Sequence, residues 1–317
     1  MTIHLMALLE IKDLTVGVKQ SGERILKGIS FSLYPSEILG ILGESGSGKS
    51  LTALSILKLL PPGLSYFQGQ VLFEEKNLLE LEEREVNKIR GKKISIIFQD
   101  PLSSLNPVLT IEEQMEEIFQ YHLGIKGKKA KDLMIRTLKE VGIPDPEFRL
   151  RNYPHELSGG LRQRVMIAMA IACSPKILIA DEPTTALDLT IQMQVLELLK
   201  TLNQEKGLSI IFITHDLGIL RWFAHRILVF YKGQILEIAP TEKLFKNPLH
   251  PYTKLLFNSY PGRKELEDLN LWTQERLDQS LCPFYTKCAM VCKESLEREP
   301  KLREVEPFHF VRCFLYE

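Results

Sequence analysis

Residues 43–50 read Gly-Glu-Ser-Gly-Ser-Gly-Lys-Ser, and this glycine-rich segment constrains the fold of the chain more than any other. The apolar run at 37–42 before it predicts a buried strand, and the leucines after Ser50 recur at helical spacing. Glycines let the backbone amides curve around an anion, and the following helix adds the positive end of its dipole. The segment therefore predicts a loop that binds nucleotide phosphates within an α/β fold.

The side chains of this loop have separate expected tasks. Lys49 is expected to place its charge between the β- and γ-phosphates, and the Ser50 hydroxyl to bind Mg²⁺. The candidate ATP-binding residues are Gly43, Glu44, Ser45, Gly46, Ser47, Gly48, Lys49, Ser50 and Leu51.

Polar residues follow three further predicted strands. Gln99 follows the strand at 94–98, Asp181 and Glu182 follow the strand at 177–180, and His215 follows the strand at 208–214. Because the carboxyl ends of parallel strands meet at one edge of a sheet, these side chains are expected beside the phosphate-binding loop.

The side chains expected at this edge predict hydrolysis of a bound nucleotide. Glu182 is expected to orient or deprotonate the attacking water, and His215 to hydrogen-bond the γ-phosphate. Gln99 is expected to contact both the magnesium and the water. The predicted magnesium ligands are Ser50, Gln99 and Asp181, and the predicted catalytic residues are Lys49, Gln99, Glu182 and His215.

A second anion site is predicted at residues 157–164, which read Leu-Ser-Gly-Gly-Leu-Arg-Gln-Arg. Ser158 suits the N-cap of a helix, so the amides of Gly159 and Gly160 should be exposed to an anion. The phosphate-binding loop already occupies one helix N-terminus. We therefore expect the second one, with Gln163, to bind the γ-phosphate held by a partner subunit.

Strands alternate with helices along most of the chain, which predicts a mostly parallel core sheet covered by helices. A charged helical subdomain is expected at about residues 100–172. The nucleotide-binding domain is expected to span residues 1–240. Prolines punctuate residues 241–317, which we expect to form a small appendage, including four cysteines, rather than a continuation of the sheet.

Composition argues against several classes of protein. Lys and Arg together number 40, as do Asp and Glu. The chain therefore lacks the excess of basic residues that would predict a nucleic-acid partner. The longest apolar run, 165–173, is shorter than the ~20 residues that cross a bilayer. The first residues lack the pattern of a secretory signal. The sequence therefore predicts a cytosolic location.

Taken together, these motifs resemble the ATP-binding subunit of ABC transporters over about the first 240 residues. The strings Phe-Gln-Asp-Pro at 98–101, Ser-Leu-Asn-Pro at 104–107 and His-Pro-Tyr-Thr at 250–253 resemble the oligopeptide/dipeptide/nickel importer branch. The resemblance implies a head-to-tail ATPase dimer with two bound ATP molecules, each site completed by the partner's residues 157–163. It also implies that Asp188 lies at the dimer interface.

The branch further implies the partners and the location. The second ATPase subunit is usually a paralogue and otherwise a second copy of the chain. Two transmembrane permeases and, indirectly, an extracytoplasmic substrate-binding protein complete the importer, with this subunit at the cytoplasmic face of the membrane. Short peptides are the leading cargo, followed by nickel or another chelated metal.

Two departures from the family pattern concern single residues. Leu161 stands where many ABC proteins carry glutamine, although an apolar residue is common in this branch. Val18 occupies the position where an aromatic residue often stacks on adenine, so weak base stacking is expected.

The cysteines suggest a metal centre. Cys282, Cys288, Cys292 and Cys313 crowd toward the C-terminus, and the resemblance implies a [4Fe-4S] cluster, with zinc or unligated thiols as alternatives. His309 is a candidate to replace one cysteine. Cys173 ends an apolar helix and is expected in the core.

Two other functions compete with import. A soluble ABC ATPase would act in DNA repair, on the ribosome or in iron-sulfur assembly, but the chain has neither a sustained heptad run nor a second phosphate-binding loop. A metal-binding regulator with an inactive cassette conflicts with the presence of Lys49, Asp181, Glu182 and His215.

Overall fold

The computed structural model describes residues 6–99, 104–185, 187–258, 281–288, 294 and 297–317. The chain packs into two compact units. Unit 1 contains Tyr34–Glu37 and Glu80–Phe212, and unit 2 contains Ala7–Leu33, Ile38–Leu79 and Ile213–Glu317. In the described part of the chain, no helix is both long enough and apolar enough to cross a bilayer.

Across the ranges that the structure describes, unit 1 contains three strands and most of the helices. Its strands are β6 (Ile94–Ile97), β7 (Ile177–Asp181) and β8 (Ser209–Thr214), which ends at the boundary with unit 2. β6 and β7 pair in parallel, with Ile94 opposite Ile177. Every residue of β7 and β8 is buried, as expected for strands covered on both faces.

The helices of unit 1 lie before and between these strands. They are α2 (Glu83–Val86), α3 (Ile111–Leu123), α4 (Gly127–Glu140), α5 (Pro146–Arg149), α6 (Gly159–Ile171) and α7 (Leu189–Lys206). A capping box starts α3, where Thr110 accepts from the amide of Glu113 and the Glu113 carboxylate accepts from the amide of Thr110. Gly124, in the left-handed region at φ 68°, ends α3. The next helix, α4, begins three residues later at Gly127.

Unit 2 contains an antiparallel sheet in the order β2-β1-β4-β5. Its strands are β1 (Leu9–Val18), β2 (Arg24–Leu33), β4 (Leu64–Phe73) and β5 (Lys76–Asn77). Leu9, Ile11, Leu14 and Val16 of β1 are buried. This sheet adds an antiparallel component that the prediction of a mostly parallel core did not contain.

The second set of strands in unit 2 leads to the phosphate-binding loop. The strands lie in the order β11-β12-β10-β9-β3. They are β3 (Ile38–Gly43), β9 (Arg226–Tyr231), β10 (Gln234–Pro240), β11 (Leu302–Glu306) and β12 (His309–Arg312). β3 and β9 are parallel, whereas β9 with β10, β10 with β12, and β11 with β12 are antiparallel. The fold is thus α/β with both parallel and antiparallel strand pairs.

The expectation that residues after 240 do not continue the sheet is wrong. β12 pairs with β10, with Phe310 opposite Ile238, and β11 pairs with β12. An unpaired β10 edge would leave its backbone polar groups without partners, and the C-terminal hairpin satisfies them. The helices of unit 2 are α1 (Lys49–Ile56), α8 (Leu217–Phe223), α9 (Thr241–Lys246) and α10 (Pro251–Asn258).

A buried carboxylate ties this C-terminal region together. Glu237 in β10 is 0% exposed, and its two oxygens accept from the amides of Leu249 at 2.8 Å and His250 at 3.0 Å. His309 Nε2 lies 2.7 Å from Glu237 Oε1 and donates to it, since a carboxylate can only accept. Glu237 therefore joins β10, β12 and the segment before α10.

Candidate functional site

The phosphate-binding loop joins β3 to α1, as predicted. Gly46 and Gly48 have φ values of 76° and 107°, in the region that residues with a β-carbon rarely adopt. A β-carbon on Gly43 would lie 2.5 Å from the carbonyl oxygen of Phe230. The loop is thus held against the end of β9 in a conformation that requires glycine at these positions.

A buried cation lies inside the curve of the loop. Lys49 is 4% exposed, and its Nζ donates to the carbonyl oxygens of Gly43 at 2.8 Å and Glu44 at 2.9 Å. The buried hydroxyl of Ser47 makes no hydrogen bond among the residues that the structure describes. A buried ammonium, a buried hydroxyl and a glycine-curved backbone at a helix N-terminus are the donors that phosphate groups bind. The residues present therefore fit a nucleotide.

The hairpin between β9 and β10 supports the other end of the loop. The amide of Gly233 donates to the carbonyl of Ser47 at 2.9 Å, and the carbonyl of Gly233 accepts from the amide of Lys27 at 2.9 Å. Gly233 has φ 80°, and a β-carbon there would lie 1.7 Å from the carbonyl oxygen of Ile25. Sequence reasoning missed this support, although the Lys-Gly pair between two apolar runs signals a tight turn.

In unit 1, two of the predicted catalytic residues are in contact. Gln99 Nε2 donates to Glu182 Oε2 at 3.2 Å, and the hydroxyl of Thr185 donates to the same oxygen at 3.2 Å. Glu182 has φ 46°, which is strained for a residue other than glycine and recurs at functional sites. Asp181, at the end of β7, is 7% exposed. The adjacent ends of β6 and β7 thus bring an amide and two acidic side chains together.

His215 directly follows β8 and has an exposed side chain. The next residue, Asp216, caps α8 by accepting from the amides of Gly218 at 2.6 Å and Ile219 at 3.3 Å. The hydroxyl of Thr214 accepts from the amide of Asp216 at 3.0 Å. The predicted position of His215, at the carboxyl end of a buried strand, is therefore held by a polar turn.

The segment predicted to bind the partner's nucleotide starts α6. The hydroxyl of Ser158 accepts from the amide of Leu161 at 3.4 Å, which is the predicted N-cap. A β-carbon on Gly160 would lie 2.9 Å from Ile191 Cγ2, so α6 packs closely against α7. Gln163 is fully buried, and neither polar atom of its amide has a hydrogen-bond partner in the described ranges.

Asp188 has a local structural role. Its carboxylate accepts from the amide of Ile191 at 3.0 Å and caps α7. Its side chain is exposed.

The described residues do not support a metal centre at the cysteines. Cys282, Cys288 and Cys313 are half-buried, and Cys292 lies outside the described residues. Within the described ranges, no three His, Cys, Asp or Glu side chains are grouped to hold a metal ion. His309 Nε2 is bonded to Glu237, and its buried Nδ1 has no hydrogen-bond partner among the described residues. Cys173 is half-buried rather than in the core, and burial raises the pKa of its thiol.

Comparisons with known proteins agree with this geometry. Residues 26–185 match the profile of the ABC transporter family, and residues 236–294 match that of the oligopeptide/dipeptide transporter C-terminal region.

Two curated relatives cover nearly the whole chain. The probable peptide ABC transporter ATP-binding protein y4tR of Sinorhizobium fredii is 45% identical over 97% of this chain and 94% of its own length. The oligopeptide transport ATP-binding protein OppD of Bacillus subtilis is 44% identical over 99% of this chain and 90% of its own length.

Among solved structures, the dimeric bacterial ABC transporter cassette MJ0796 has a TM-score of 0.65 and 32% identity, covering 74% of this chain and 98% of that one. A second structure of that cassette, with the same values, is described as a post-hydrolysis state bound to ADP and Pi. The chain therefore belongs to the ABC transporter family of ATP-binding proteins, among those that carry the oligopeptide/dipeptide transporter C-terminal region.

Proposed function

We propose that this protein binds and hydrolyses ATP as the energising subunit of an ABC importer for short peptides. The observation that carries the proposal is the buried Lys49 inside a glycine-curved loop between β3 and α1. The C-terminal match at residues 236–294 favours an importer over a soluble ABC ATPase. Relatives whose names specify peptide or oligopeptide transport favour peptides over nickel as the cargo.

Residues 43–51 bind the ATP phosphates in this proposal. Lys49 neutralises phosphate charge, and backbone amides of the loop donate hydrogen bonds to the remaining phosphate oxygens. Ser50, Gln99 and Asp181 supply the oxygen ligands that suit Mg²⁺. When bound, this ion neutralises charge on the phosphates during transfer.

Glu182 acts on the attacking water in this proposal. Its carboxylate accepts from Gln99 and from Thr185, each at 3.2 Å, and these hydrogen bonds fix its orientation. Gln99 positions the carboxylate of Glu182 through this hydrogen bond, and His215 holds the γ-phosphate.

Two subunits form the complete sites. Ser158, Gly159 and Gly160 of each subunit contact the γ-phosphate bound by the other, with Asp188 at the interface, whereas Gln163 is buried within its own subunit. We infer a related ATPase as the partner, or otherwise a second copy of this chain. The pair docks beneath two membrane-spanning permeases at the cytoplasmic face of the membrane, served by an extracytoplasmic binding protein. Nucleic acid has no part in this function.

The proposed domain division follows the sequence motifs. Residues 1–240 form the nucleotide-binding domain, with a helical subdomain at about 100–172, and residues 241–317 form the importer-type extension. The proposal assigns neither iron-sulfur cluster nor zinc to the cysteines, because the described residues do not form a ligand set.

A single substitution tests the hydrolytic assignment. Glu182→Gln keeps the size of the side chain but removes the basic carboxylate. We expect ATP affinity to change less than twofold while the turnover of ATP falls by about 10²- to 10⁴-fold. Phosphate release and equilibrium binding of ATP measure the two effects.

Glu205→Gln, at an exposed position near the end of α7, is the matched control and should leave both values unchanged. Unchanged turnover in Glu182→Gln would remove Glu182 from its assigned role.

A further inference from the structure

Two motifs of the C-terminal region take no part in the hydrolysis proposed above. They are His-Pro-Tyr-Thr at 250–253 and Cys-Pro-Phe at 282–284. Each contributes one aromatic ring to the interior of unit 2: Tyr252 is 0% exposed and Phe284 is 2% exposed.

These two rings pack on Tyr231, the last residue of β9. The ring centroids of Tyr231 and Tyr252 are 4.6 Å apart, and those of Tyr231 and Phe284 are 5.6 Å apart. The third side of the triangle, from Tyr252 to Phe284, measures 5.5 Å. We name Tyr231, Tyr252 and Phe284 the aromatic triad. Tilted and edge-to-face rings at these distances attract one another beyond the burial of their apolar area.

The residues on either side of Tyr231 contact the phosphate-binding loop. The carbonyl of Phe230 lies where a β-carbon on Gly43 would clash, and the amide of Gly233 donates to the carbonyl of Ser47. The backbone before and after Tyr231 therefore contacts the loop at two points, its first residue Gly43 and its fifth residue Ser47. Packing that fixes the Tyr231 ring therefore also limits movement of the backbone that forms both contacts.

The triad also faces Glu44, the second residue of the loop. Burial and then the Glu44 carboxylate raise the pKa of Tyr231 and of Tyr252. The phenol oxygen of Tyr252 is buried, and hydrogen bonding with Glu44 is among the causes that set the pKa of Tyr252. The carbonyl of Glu44 accepts from Lys49 at 2.9 Å, so the conformation of Glu44 also affects the lysine that neutralises phosphate.

We propose that Tyr252 and Phe284 are positioning residues for the ATP site, through which the C-terminal region holds the phosphate-binding loop in its phosphate-binding conformation. Neither ring is expected to touch the nucleotide. They act through Tyr231 and Glu44, and their effect is on affinity rather than on the hydrolytic step. The proposal depends on the assignment of residues 43–51 as the ATP site.

The expected rise in Kd depends on how much of the time the free loop adopts its phosphate-binding conformation. A loop that adopts its binding conformation only a tenth of the time raises the apparent Kd about tenfold. A purely structural triad would instead lower the stability of unit 2 and leave the Kd of the folded protein unchanged.

The test measures the Kd of a non-hydrolysable ATP analogue by calorimetry, and thermal unfolding in parallel, in the full-length chain. Phe284→Leu should raise the Kd by about five- to tenfold. Phe257→Leu is the control, because Phe257 is 0% exposed in the same C-terminal region but packs on Phe245 of α9, with centroids 4.7 Å apart. The control should lower thermal stability to a similar extent and leave the Kd within twofold of wild type.

A second pair of variants tests the phenol of Tyr252. Tyr252→Phe keeps the ring, removes the hydroxyl that faces Glu44 and should weaken binding by about two- to threefold. Tyr316→Phe removes a C-terminal hydroxyl that donates to the carbonyl of Leu249 at 3.2 Å, and should leave the Kd unchanged.

The outcomes separate this inference from the function on which it rests. Wild-type protein that fails to bind the analogue refutes the ATP site itself. Wild-type binding together with an equal Kd in Phe284→Leu and Phe257→Leu overturns the positioning role and leaves the ATP site intact.

Discussion

His250 is a buried residue whose charge state differs between the folded and the unfolded chain. Its Nδ1 accepts from the amide of Tyr252 at 3.0 Å, and burial lowers the pKa of His250 to about 3. The nearby charge of Lys254 lowers the pKa further, whereas the backbone of Arg312 opposes the shift. The imidazole therefore stays neutral in the folded protein at pH values where it is protonated in the unfolded chain.

This difference predicts a pH-dependent stability. The ordinary pKa is 6.5, so between about pH 6.5 and pH 3 the unfolded chain binds one more proton at this site, and the stabilisation is lost as pH falls. His250→Asn keeps an acceptor for the amide of Tyr252 but does not titrate. From pH 7 to pH 5, we expect wild type to lose about 2 kcal/mol more unfolding free energy than the variant.

Urea unfolding at the two pH values measures this difference. Equal losses in wild type and His250→Asn would show that another group is responsible.

At the scale of elements, the hairpin formed by β11 and β12 is fastened to β10 through Glu237. Glu237→Gln would turn one acceptor into a donor facing the amides of Leu249 and His250. Leaving a buried donor unsatisfied costs about 1–3 kcal/mol, and the lost charge-assisted bond to His309 adds to this. We expect the unfolding free energy to fall by about 2–4 kcal/mol in urea titrations.

Glu306→Gln is the matched control on β11. The Glu306 side chain is 46% exposed, and its carboxylate lies 3.9 Å from Lys243 Nζ. Exposed ion pairs of this kind contribute less than about 1 kcal/mol. If both substitutions cost the same, Glu237 does not anchor the hairpin.

The elements around the nucleotide could be predicted from the sequence because their signals are local. A buried strand, a glycine run and a helix follow one another at residues 37–56, and the polar residues after β6, β7 and β8 lie directly beyond apolar runs. The pairing of β12 with β10 could not be predicted, because β12 has only four residues and β11 is largely exposed. The contact of His309 with Glu237, 72 residues away in the chain, has no local signal either.

At the scale of the whole molecule, ATP-dependent association follows from a site that needs a second subunit. Preventing hydrolysis should preserve the associated form, so Glu182→Gln with ATP should associate with itself or with a co-expressed paralogue. Adding Ser158→Arg should abolish association, because a long side chain would block the N-terminus of α6. Light scattering with and without ATP measures the assembly.

Thr201→Arg, on an exposed part of α7, is the control and should not affect association. If Glu182→Gln fails to associate at any ATP concentration, either alone or with the paralogue, the two-subunit site is refuted.

β11 is the edge strand of its sheet, and this position affects the tendency of the protein to aggregate. Arg303, Glu304 and Glu306 are exposed on this outermost strand, and charged residues discourage other chains from adding to a sheet edge. The hairpin that β11 forms with β12 covers the edge of β10, which is almost wholly buried. Ending the protein near Pro240 would therefore not yield a minimal cassette. It would expose a flat apolar strand, and the shortened chain would tend to precipitate before its enzymology could be studied.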